Sequence, residues 1–198
     1  ERRPKAEPPR ISNFEFRISN CHRSGIAVPC SWLAMNTRVA HGRDSLRQQL
    51  ETLIPADRVL TRPVEIAAYA SDASFYRPVP RAVVLAADVH EVRGLLQLAR
   101  TLGLPVTFRA GGTSLSGQGV TDGLLVEVKR HWRMLEVLDD GARVRVAPGV
   151  LGGDANLALR RFGAKIGPDP ASLAACTIGG ILANNSSGKC CGVAQNAY

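Results

Sequence analysis

The sequence has few aromatic residues and no long apolar segment. Phe, Trp and Tyr make up 5% of its 198 residues, whereas proteins that bind single-stranded nucleic acid stack the bases on aromatic side chains beside a basic groove. No uninterrupted apolar run approaches the roughly 20 residues that a transmembrane helix requires. Hydrophobic residues still account for 45% of the chain, which is typical of a globular protein and too apolar for a wholly disordered one.

Cysteine pairs with the spacing of metal ligands are also missing. The five cysteines are Cys21, Cys30, Cys176, Cys190 and Cys191. No two of them are separated by two residues, which argues against a zinc or iron–sulfur site within the chain. Their odd number, and the lack of an apolar signal-peptide core in the first thirty residues, lead us to expect reduced thiols and no export. The expected location is cytoplasmic, with or without peripheral association at the inner membrane.

Positive charge is concentrated in a head segment, residues 1–43. The formal net charge of the chain is +8, and this segment holds eight basic and three acidic residues. It sustains no helical or strand period, so we predict a disordered basic head before a body over residues 44–198. Residues 1–34 are either sequence upstream of a true start at Met35 or a natural basic arm. We expect no nucleic-acid partner, and a basic nucleic-acid-binding protein is kept as the alternative that the charge suggests.

Two short helices are predicted at the start of the body. Asp44-Ser45 has the residue types of a helix N-cap, and the apolar residues that follow share one helical face until Pro55. Pro63 opens the second helix, because proline is tolerated in a first helical turn. The apolar residues on the face of the first helix are Leu46, Leu50, Leu53 and Ile54.

A strand–helix–strand unit follows these helices. Residues 82–86 predict a short buried strand, and residues 89–102 predict a strong helix that Asp88 caps and Gly103 ends. A second strand is predicted at 105–108. This order predicts a parallel pair of strands with a right-handed crossover. The apolar face of the helix consists of Val92, Leu95, Leu96 and Ala99.

The second half of the body has the pattern of antiparallel structure. Residues 124–128 predict a strand, and residues 134–138 and 143–147 alternate in polarity on either side of Asp-Asp-Gly, which indicates a hairpin. One more helix is predicted around Leu157, with Gly163 as its end. We therefore expect an α+β fold, in which a small βαβ half precedes a mixed or antiparallel half.

A glycine-rich loop, residues 109–119, directly follows the second strand of the strand–helix–strand unit. Its sequence is Arg-Ala-Gly-Gly-Thr-Ser-Leu-Ser-Gly-Gln-Gly. The glycine pair permits positive φ and lets a ligand approach the backbone, and successive exposed N–H groups form a site for an anion. Thr113, Ser114 and Ser116 add hydroxyl donors. These features favour a diphosphate-binding loop over a plain flexible one.

Two well-known phosphate motifs do not fit the sequence. A dinucleotide fingerprint would begin at Gly117, but Asp122 occupies the position of its third glycine. A P-loop would end at Gly188-Lys189, but Ala183 replaces its first glycine and Cys190 replaces its Ser or Thr. Neither a Rossmann-type cofactor site nor an ATPase follows from these residues.

Three ordered blocks carry a family resemblance. They are the loop at 109–118; Val-Ala-Pro-Gly-Val at 146–150; and a third block of Gly-Pro-Asp-Pro-Ala-Ser at 167–172, Cys-Thr-Ile-Gly-Gly at 176–180 and Ala-Asn-Asn-Ser-Ser-Gly at 183–188. Together they resemble FAD-linked oxidases of the vanillyl-alcohol oxidase type, which have a PCMH-type FAD-binding domain. Within that family they are most similar to 2-hydroxyacid dehydrogenases of the D-lactate dehydrogenase and glycolate oxidase subunit types.

The resemblance implies that these blocks bind FAD. Gly111 to Ser114 would donate hydrogen bonds to its diphosphate, and residues 178–180 would pack their backbone against the flavin or ribityl chain. Asp169 would cap the following turn or bond a ribityl hydroxyl, and Arg109 would balance phosphate charge or form a surface salt bridge. Related oxidases attach flavin covalently through a histidine where this chain has Thr113, so we predict non-covalent FAD. The predicted cofactor-binding residues are Arg109, Ala110, Gly111, Gly112, Thr113, Ser114, Gly117, Gln118, Pro148, Gly149, Pro168, Asp169, Ser172, Thr177, Ile178, Gly179, Gly180, Asn184, Ser186 and Gly188.

The resemblance also implies a reaction. A D-2-hydroxyacid of the D-lactate, glycolate or 2-hydroxyglutarate class would be oxidised to the 2-oxoacid by hydride transfer to flavin, with a quinone, cytochrome or iron–sulfur centre as electron acceptor. In the resembled family the FAD domain continues past the third block into a substrate domain, and some members add an iron–sulfur domain. We therefore expect residues 44–198 to be a partial, C-terminally truncated FAD-binding domain, inactive alone and without catalytic or metal-binding residues of its own. A non-catalytic flavin- or nucleotide-binding module is the other alternative.

Overall fold

A four-stranded mixed sheet organises the first half of this computed structural model, which describes residues 42–188. Its strands are β1 (Val59–Leu60), β2 (Ala82–Leu85), β3 (Val106–Arg109) and β4 (Leu124–Glu127), in the spatial order β1-β2-β4-β3. Strands β2 and β3 both run parallel to β4, while β1 is antiparallel to β2. Residues 1–41 of the predicted disordered head, the start at Met35 and four of the five cysteines lie outside the described residues, whereas residues 42 and 43, predicted in the head, are helical.

The strand–helix–strand prediction is corrected by this order. Strands β2 and β3 do not pair, because β4 lies between them and pairs with both: Val84 is opposite Val126, and Val126 is opposite Phe108. The prediction failed because β4, the strand that separates β2 from β3, comes later in the sequence, after the glycine-rich loop. All four residues of β4 are buried, because the strand is covered on both faces, as central parallel strands are.

The helix between β2 and β3 has the predicted boundaries. Helix α3 (Val89–Leu102) begins after Asp88, whose carboxylate accepts hydrogen bonds from the backbone N–H groups of His90 and Glu91. It ends at Gly103, which has a φ of +63°. Both ends depend on local chemistry, a carboxylate that satisfies free N–H groups and a residue that adopts the left-handed conformation.

The two earlier helices are α1 (Gly42–Glu51) and α2 (Pro63–Tyr69). Helix α2 opens at its proline, as predicted. The predicted boundaries of α1 are wrong, since the helix begins before Asp44 and ends four residues before Pro55. The chain turns tightly after α1, and the N–H groups of Leu53 and Ile54 both bond to the carbonyl of Leu50.

The two faces of the sheet are buried in different clusters. On one face, alternate residues of β2 and β4 pack with α1 and α3, and this cluster includes Leu50, Leu95 and Val126. On the other face, Val83, Leu85 and Leu125 pack with Tyr69 of α2. The alternation follows from the two-residue period of a strand. Leu53 and Leu96, predicted on the apolar helix faces, are instead exposed, at 40% and 45%.

The second half contains the predicted hairpin, β5 (Leu135–Leu138) and β6 (Arg143–Val146), which pair antiparallel across a turn at Asp139–Gly141. Helix α4 (Gly152–Leu159) follows. A short 3₁₀ turn at Arg160–Phe162 continues it and ends at Gly163, which has a φ of +67°. Helix α5 (Ile178–Ala183), which the sequence pattern did not predict, packs with α4 through a third apolar cluster that includes Ala155 and Ile181. Within residues 42–188, no helix has the length and apolar character that crossing a membrane requires.

Candidate functional site

An open trough of about 630 Å³ lies between the glycine-rich loop and the segment around α5. Its volume is in the range of small-molecule and cofactor sites. The loop leaves the carboxyl end of β3, and the carboxyl ends of parallel strands are where open sheets bind ligands. The lining residues from the loop side are Phe108 to Ser116, Gln118 and Gly119; those from the other side are Pro170, Ser172, Cys176, Thr177, Gly180, Ala183, Asn184 and Ser186.

The lining suits an anionic ligand. Among residues 42–188, Arg109 is the one charged residue of the lining, and no carboxylate of this range lies there to repel a phosphate. Hydroxyl groups of Thr113, Ser114 and Ser116 stand beside the loop backbone on one side, and those of Ser172 and Thr177 stand on the other. Neutral donors with a single cation are the composition expected of a diphosphate site.

Arg109 is held at the base of the glycine-rich loop by Tyr69. Its Nη1 donates to the backbone carbonyl of Tyr69 at 3.0 Å, and its guanidinium carbon lies 5.4 Å from the centre of the Tyr69 ring. Burial raises the pKa of the Tyr69 phenol, so the ring remains neutral beneath the cation. Arg109 forms no ion pair with any described residue, so the surface salt bridge that the sequence left open is not seen.

Both glycines of the pair in the loop are required, one by a close backbone contact and the other by its positive φ and the nearby Arg109 side chain. A Cβ at Gly111 would lie 2.5 Å from the carbonyl oxygen of Ala175, so the two sides of the trough meet there main chain to main chain. Gly112 has a φ of +64°, and a Cβ there would lie 2.7 Å from Nη2 of Arg109. The two glycines place no side chain over the N–H groups of this part of the loop, as a tightly bound diphosphate requires.

The opposite side of the trough is the start of α5. Thr177 is buried and caps this helix, accepting a hydrogen bond from the N–H of Gly180 at 3.4 Å. Gly179 packs against Pro148, with only 2.6 Å between its ideal Cβ and that of the proline. Gly180 lines the trough and has open space beside it, since a Cβ there would meet only Oγ1 of Thr177, at 3.6 Å.

A side-chain hydrogen bond joins the two sides. Nε2 of Gln118 donates to Oδ1 of Asn184 at 3.1 Å. The Ser114 hydroxyl donates to Oε1 of the same glutamine at 2.7 Å. The Gln118 amide is thus fixed between the loop and the end of α5, and the trough has a defined width at this point.

Twelve of the twenty predicted cofactor-binding residues line the trough. They are Arg109, Ala110, Gly111, Gly112, Thr113, Ser114, Gln118, Ser172, Thr177, Gly180, Asn184 and Ser186. Seven further lining residues are not among the predicted cofactor-binding residues: Phe108, Leu115, Ser116, Gly119, Pro170, Cys176 and Ala183. Phe108 and Gly119 adjoin the first block and the other five lie inside the blocks, where Ser116 was already noted as a hydroxyl donor, so taking each block whole with its neighbours would have included them.

Eight predicted residues are not part of the lining: Gly117, Pro148, Gly149, Pro168, Asp169, Ile178, Gly179 and Gly188. Several of them support the scaffold. A Cβ at Gly149 would lie 2.3 Å from the carbonyl oxygen of Val128, and Ile178 is buried in the cluster with Ala155. Asp169 is half-buried beside Gly188. Their direct contact with a cofactor stays a prediction.

A family model described as an FAD binding domain matches residues 80–198, which include both sides of the trough. The chain belongs to the FAD binding domain family. The chain is 34% identical over 152 residues to the glycolate oxidase subunit GlcD of Escherichia coli (strain K12). The matched region covers 75% of this chain and 30% of that relative. The chain is 34% identical over 124 residues to the D-2-hydroxyglutarate dehydrogenase of Pseudomonas putida (strain KT2440), covering 61% of this chain and 12% of that protein.

Solved structures confirm the expected fold of the FAD domain. An alkyldihydroxyacetonephosphate synthase superposes with a TM-score of 0.62 at 22% identity, covering 73% of this chain and 30% of that one. A p-cresol methylhydroxylase with substrate bound superposes with a TM-score of 0.61 at 17% identity, covering 76% and 31%. The FAD domain therefore has the α+β, PCMH-type fold, and the chain spans at most about a third of these similar proteins.

Proposed function

We propose that the trough holds FAD non-covalently and that the chain is the FAD-binding part of a flavoprotein that oxidises a D-2-hydroxyacid to the 2-oxoacid. The observation that carries the first part is the glycine-rich loop with the charged Arg109 in the lining of the trough, in a chain of the FAD binding domain family. The names of the relatives support the second part, because glycolate and D-2-hydroxyglutarate are both 2-hydroxyacids.

Each side of the trough has a separate task in this proposal. The N–H groups of Gly111 to Ser114 and the hydroxyl of Thr113 bind the diphosphate, and Arg109 offsets its charge. The bare backbone at Gly180 leaves room for the flavin or its ribityl chain. Bound FAD supplies the hydride-accepting chemistry, while the protein supplies binding, orientation and electrostatics.

The proposed reaction needs groups beyond the described trough. The residues of the described part of the chain that line it include no histidine, lysine or carboxylate that could take the proton of a hydroxyl group. We therefore expect the 198-residue chain alone to bind FAD without oxidising a hydroxyacid. The proposed electron acceptor is a quinone, a cytochrome or an iron–sulfur centre. Within residues 42–188, no group of three or more His, Cys, Asp or Glu side chains is placed to hold a metal ion.

The FAD assignment is tested by titrating the purified chain with FAD, FMN and riboflavin and following flavin fluorescence. Because the diphosphate is the group that the loop recognises, we expect FAD to bind at least 100-fold more tightly than riboflavin, equivalent to about 2.7 kcal/mol. Acid precipitation should release the yellow colour into the supernatant, since Thr113 cannot bond flavin. Equal affinity for riboflavin would contradict a diphosphate site, and colour retained in the pellet would contradict non-covalent binding.

The hydroxyacid assignment is tested on the complete gene product, loaded with FAD under anaerobic conditions. We expect D-lactate, glycolate or D-2-hydroxyglutarate to bleach the flavin absorbance, and L-lactate and L-2-hydroxyglutarate serve as matched controls for the two chiral acids. A protein that holds FAD but is bleached by none of these acids would favour the non-catalytic module. Strongly salt-dependent DNA binding that survives removal of residues 1–43 would favour the nucleic-acid alternative.

A further inference from the structure

The glycine-rich loop is attached to a neighbouring segment, residues 69–77, at its beginning, middle and end. Arg109 donates to the carbonyl of Tyr69 at 3.0 Å. The N–H of Ala73 donates to the carbonyl of Gly112 at 3.1 Å. The N–H of Gly119 donates to Oδ2 of Asp72 at 3.4 Å. None of residues 69–77 belongs to the lining of the trough, so this segment, here called the brace, reaches the ligand site only through the loop.

Asp72 is the centre of the brace. Its Oδ1 accepts hydrogen bonds from both the N–H of Ser74, at 2.8 Å, and the Ser74 hydroxyl, at 2.5 Å. Burial raises the pKa of the Asp72 carboxyl, but the hydrogen bonds from Ser74 and Gly119 and the nearby charge of Arg109 outweigh it and hold that pKa below its usual value. The carboxylate is therefore charged at neutral pH and is the stronger form of acceptor for the Gly119 N–H.

The brace is held together by hydrogen bonds between its own residues. Ser74 is only 5% exposed, and its hydroxyl oxygen accepts a hydrogen bond from the N–H of Tyr76 at 3.2 Å. Nη1 of Arg77 donates to the Ser74 carbonyl at 2.6 Å. The Tyr76 ring packs against Gly117, where a Cβ would lie 2.5 Å from the ring. These contacts within the segment, and between the segment and the loop, favour a single conformation of the brace beside the loop.

The attachment at Gly112 has a direct consequence for an anion. Because the Gly112 carbonyl accepts a hydrogen bond from Ala73, it is turned toward the brace, which lies outside the lining. A carbonyl oxygen aimed into the trough would repel phosphate oxygens, whereas N–H groups attract them. The brace thus fixes which backbone dipoles of the loop are free for the ligand.

We propose that the brace pre-forms the diphosphate site and that Asp72 is a positioning residue for FAD, acting through the N–H of Gly119 and the turn at Ser74 without touching the ligand. The inference rests on the proposed binding of FAD. It adds a function for residues outside the trough and outside the three sequence blocks. Pre-formed sites bind more tightly because less conformational entropy is lost on binding.

The test compares Asp72→Ala, Asp72→Asn and Ser74→Ala in the 198-residue chain, with Asp140→Asn as the matched control, an exposed aspartate in the hairpin turn. Two quantities are measured for each: amide hydrogen exchange of residues 110–119 without FAD, and the FAD dissociation constant. We expect Asp72→Ala to speed exchange in this loop at least tenfold and to raise the dissociation constant about tenfold or more, as loss of hydrogen bonds to a charged group implies. Asp72→Asn should fall between Asp72→Ala and the control, because the amide keeps one accepting oxygen.

A purely structural role for Asp72 predicts a different result, in which exchange rises throughout the sheet, including β2 and β4, rather than in the loop. That pattern, or an FAD dissociation constant within twofold of the unsubstituted chain, would overturn the proposal. If Asp72→Ala does not fold, Asp72→Asn and Ser74→Ala give the same comparison. If the unsubstituted chain binds no FAD, the FAD assignment fails, and loop exchange in the ligand-free variants then decides whether Asp72 holds the loop.

Discussion

Gly179 and Gly180 are adjacent in α5, but their surroundings place different demands on them. Gly179 is pressed against Pro148 and has no room for a methyl group, whereas Gly180 borders the trough and has space for one. A glycine within a helix costs about 1 kcal/mol relative to alanine. At Gly180 the packing of the fold does not require glycine, so we attribute the choice of glycine to the space that the ligand needs.

Gly180→Ala is therefore expected to leave the free energy of unfolding unchanged or to raise it by up to about 1 kcal/mol, while it weakens FAD binding at least tenfold. The matched variant Gly179→Ala should instead lower the free energy of unfolding by about 1–3 kcal/mol, because its methyl group overlaps Pro148. Thermal melts without ligand and FAD titrations measure both effects. Undiminished FAD affinity in Gly180→Ala would show that the cofactor does not contact the backbone there.

At the scale of elements, an ion pair fastens α3 to the short helical turn at Ala56–Arg58. The Arg58 guanidinium donates to both carboxylate oxygens of Glu91, at 2.9 and 2.5 Å, and also to the carbonyl of Leu85. Glu91 accepts a third hydrogen bond from the N–H of Ala87. The two side chains are only 14% and 15% exposed, so the pair is well shielded from water.

Arg58→Met should lower the free energy of unfolding by about 2–3 kcal/mol, because it leaves the shielded Glu91 carboxylate without its cation. The control is Arg145→Met in the hairpin, whose ion pair with Glu136 is 58% and 49% exposed and whose loss should cost at most about 1 kcal/mol. Urea unfolding compares the two. Equal losses would mean that shielding adds nothing to the Arg58 pair.

How far the sequence predicts the elements depends on the range of the interactions. Both ends of α3 were predictable because Asp88 and Gly103 act on the nearest turn of the helix. The position of β4 between β2 and β3 was not, since strand order depends on pairing between distant segments. The same distinction between local and long-range interactions applies to the residues of the site. The glycine-rich loop is a local motif, whereas Asp72 bonds to Gly119, 47 residues later, and no short pattern reveals it.

At the scale of the whole molecule, Trp132 connects the two halves of the described structure. It packs both against the cluster beneath the four-stranded sheet and against the cluster of α4 and α5. Its backbone carbonyl also accepts a hydrogen bond from the N–H of Gly149. Residues 42–188 lie in one compact unit, and this side chain is shared by both of its large apolar clusters.

Trp132→Ala is expected to lower the free energy of unfolding by about 3 kcal/mol and to broaden or split the calorimetric transition, because the two clusters lose a common side chain. Leu157→Ala, at a leucine that is 69% exposed, serves as the control and should change the free energy of unfolding by less than about 0.5 kcal/mol. A sharp transition at the control's midpoint in Trp132→Ala would show that the halves are coupled elsewhere.

The bond between Gln118 and Asn184 spans 66 residues of sequence. An occupant that contacts both sides of the trough acts as a reversible cross-link across that length of chain. By mass action, FAD at 100 times its dissociation constant would add about 2.7 kcal/mol to stability. Cellular flavin supply would then set the lifetime of the newly made polypeptide, since chains that acquire no FAD open more often and meet proteases first.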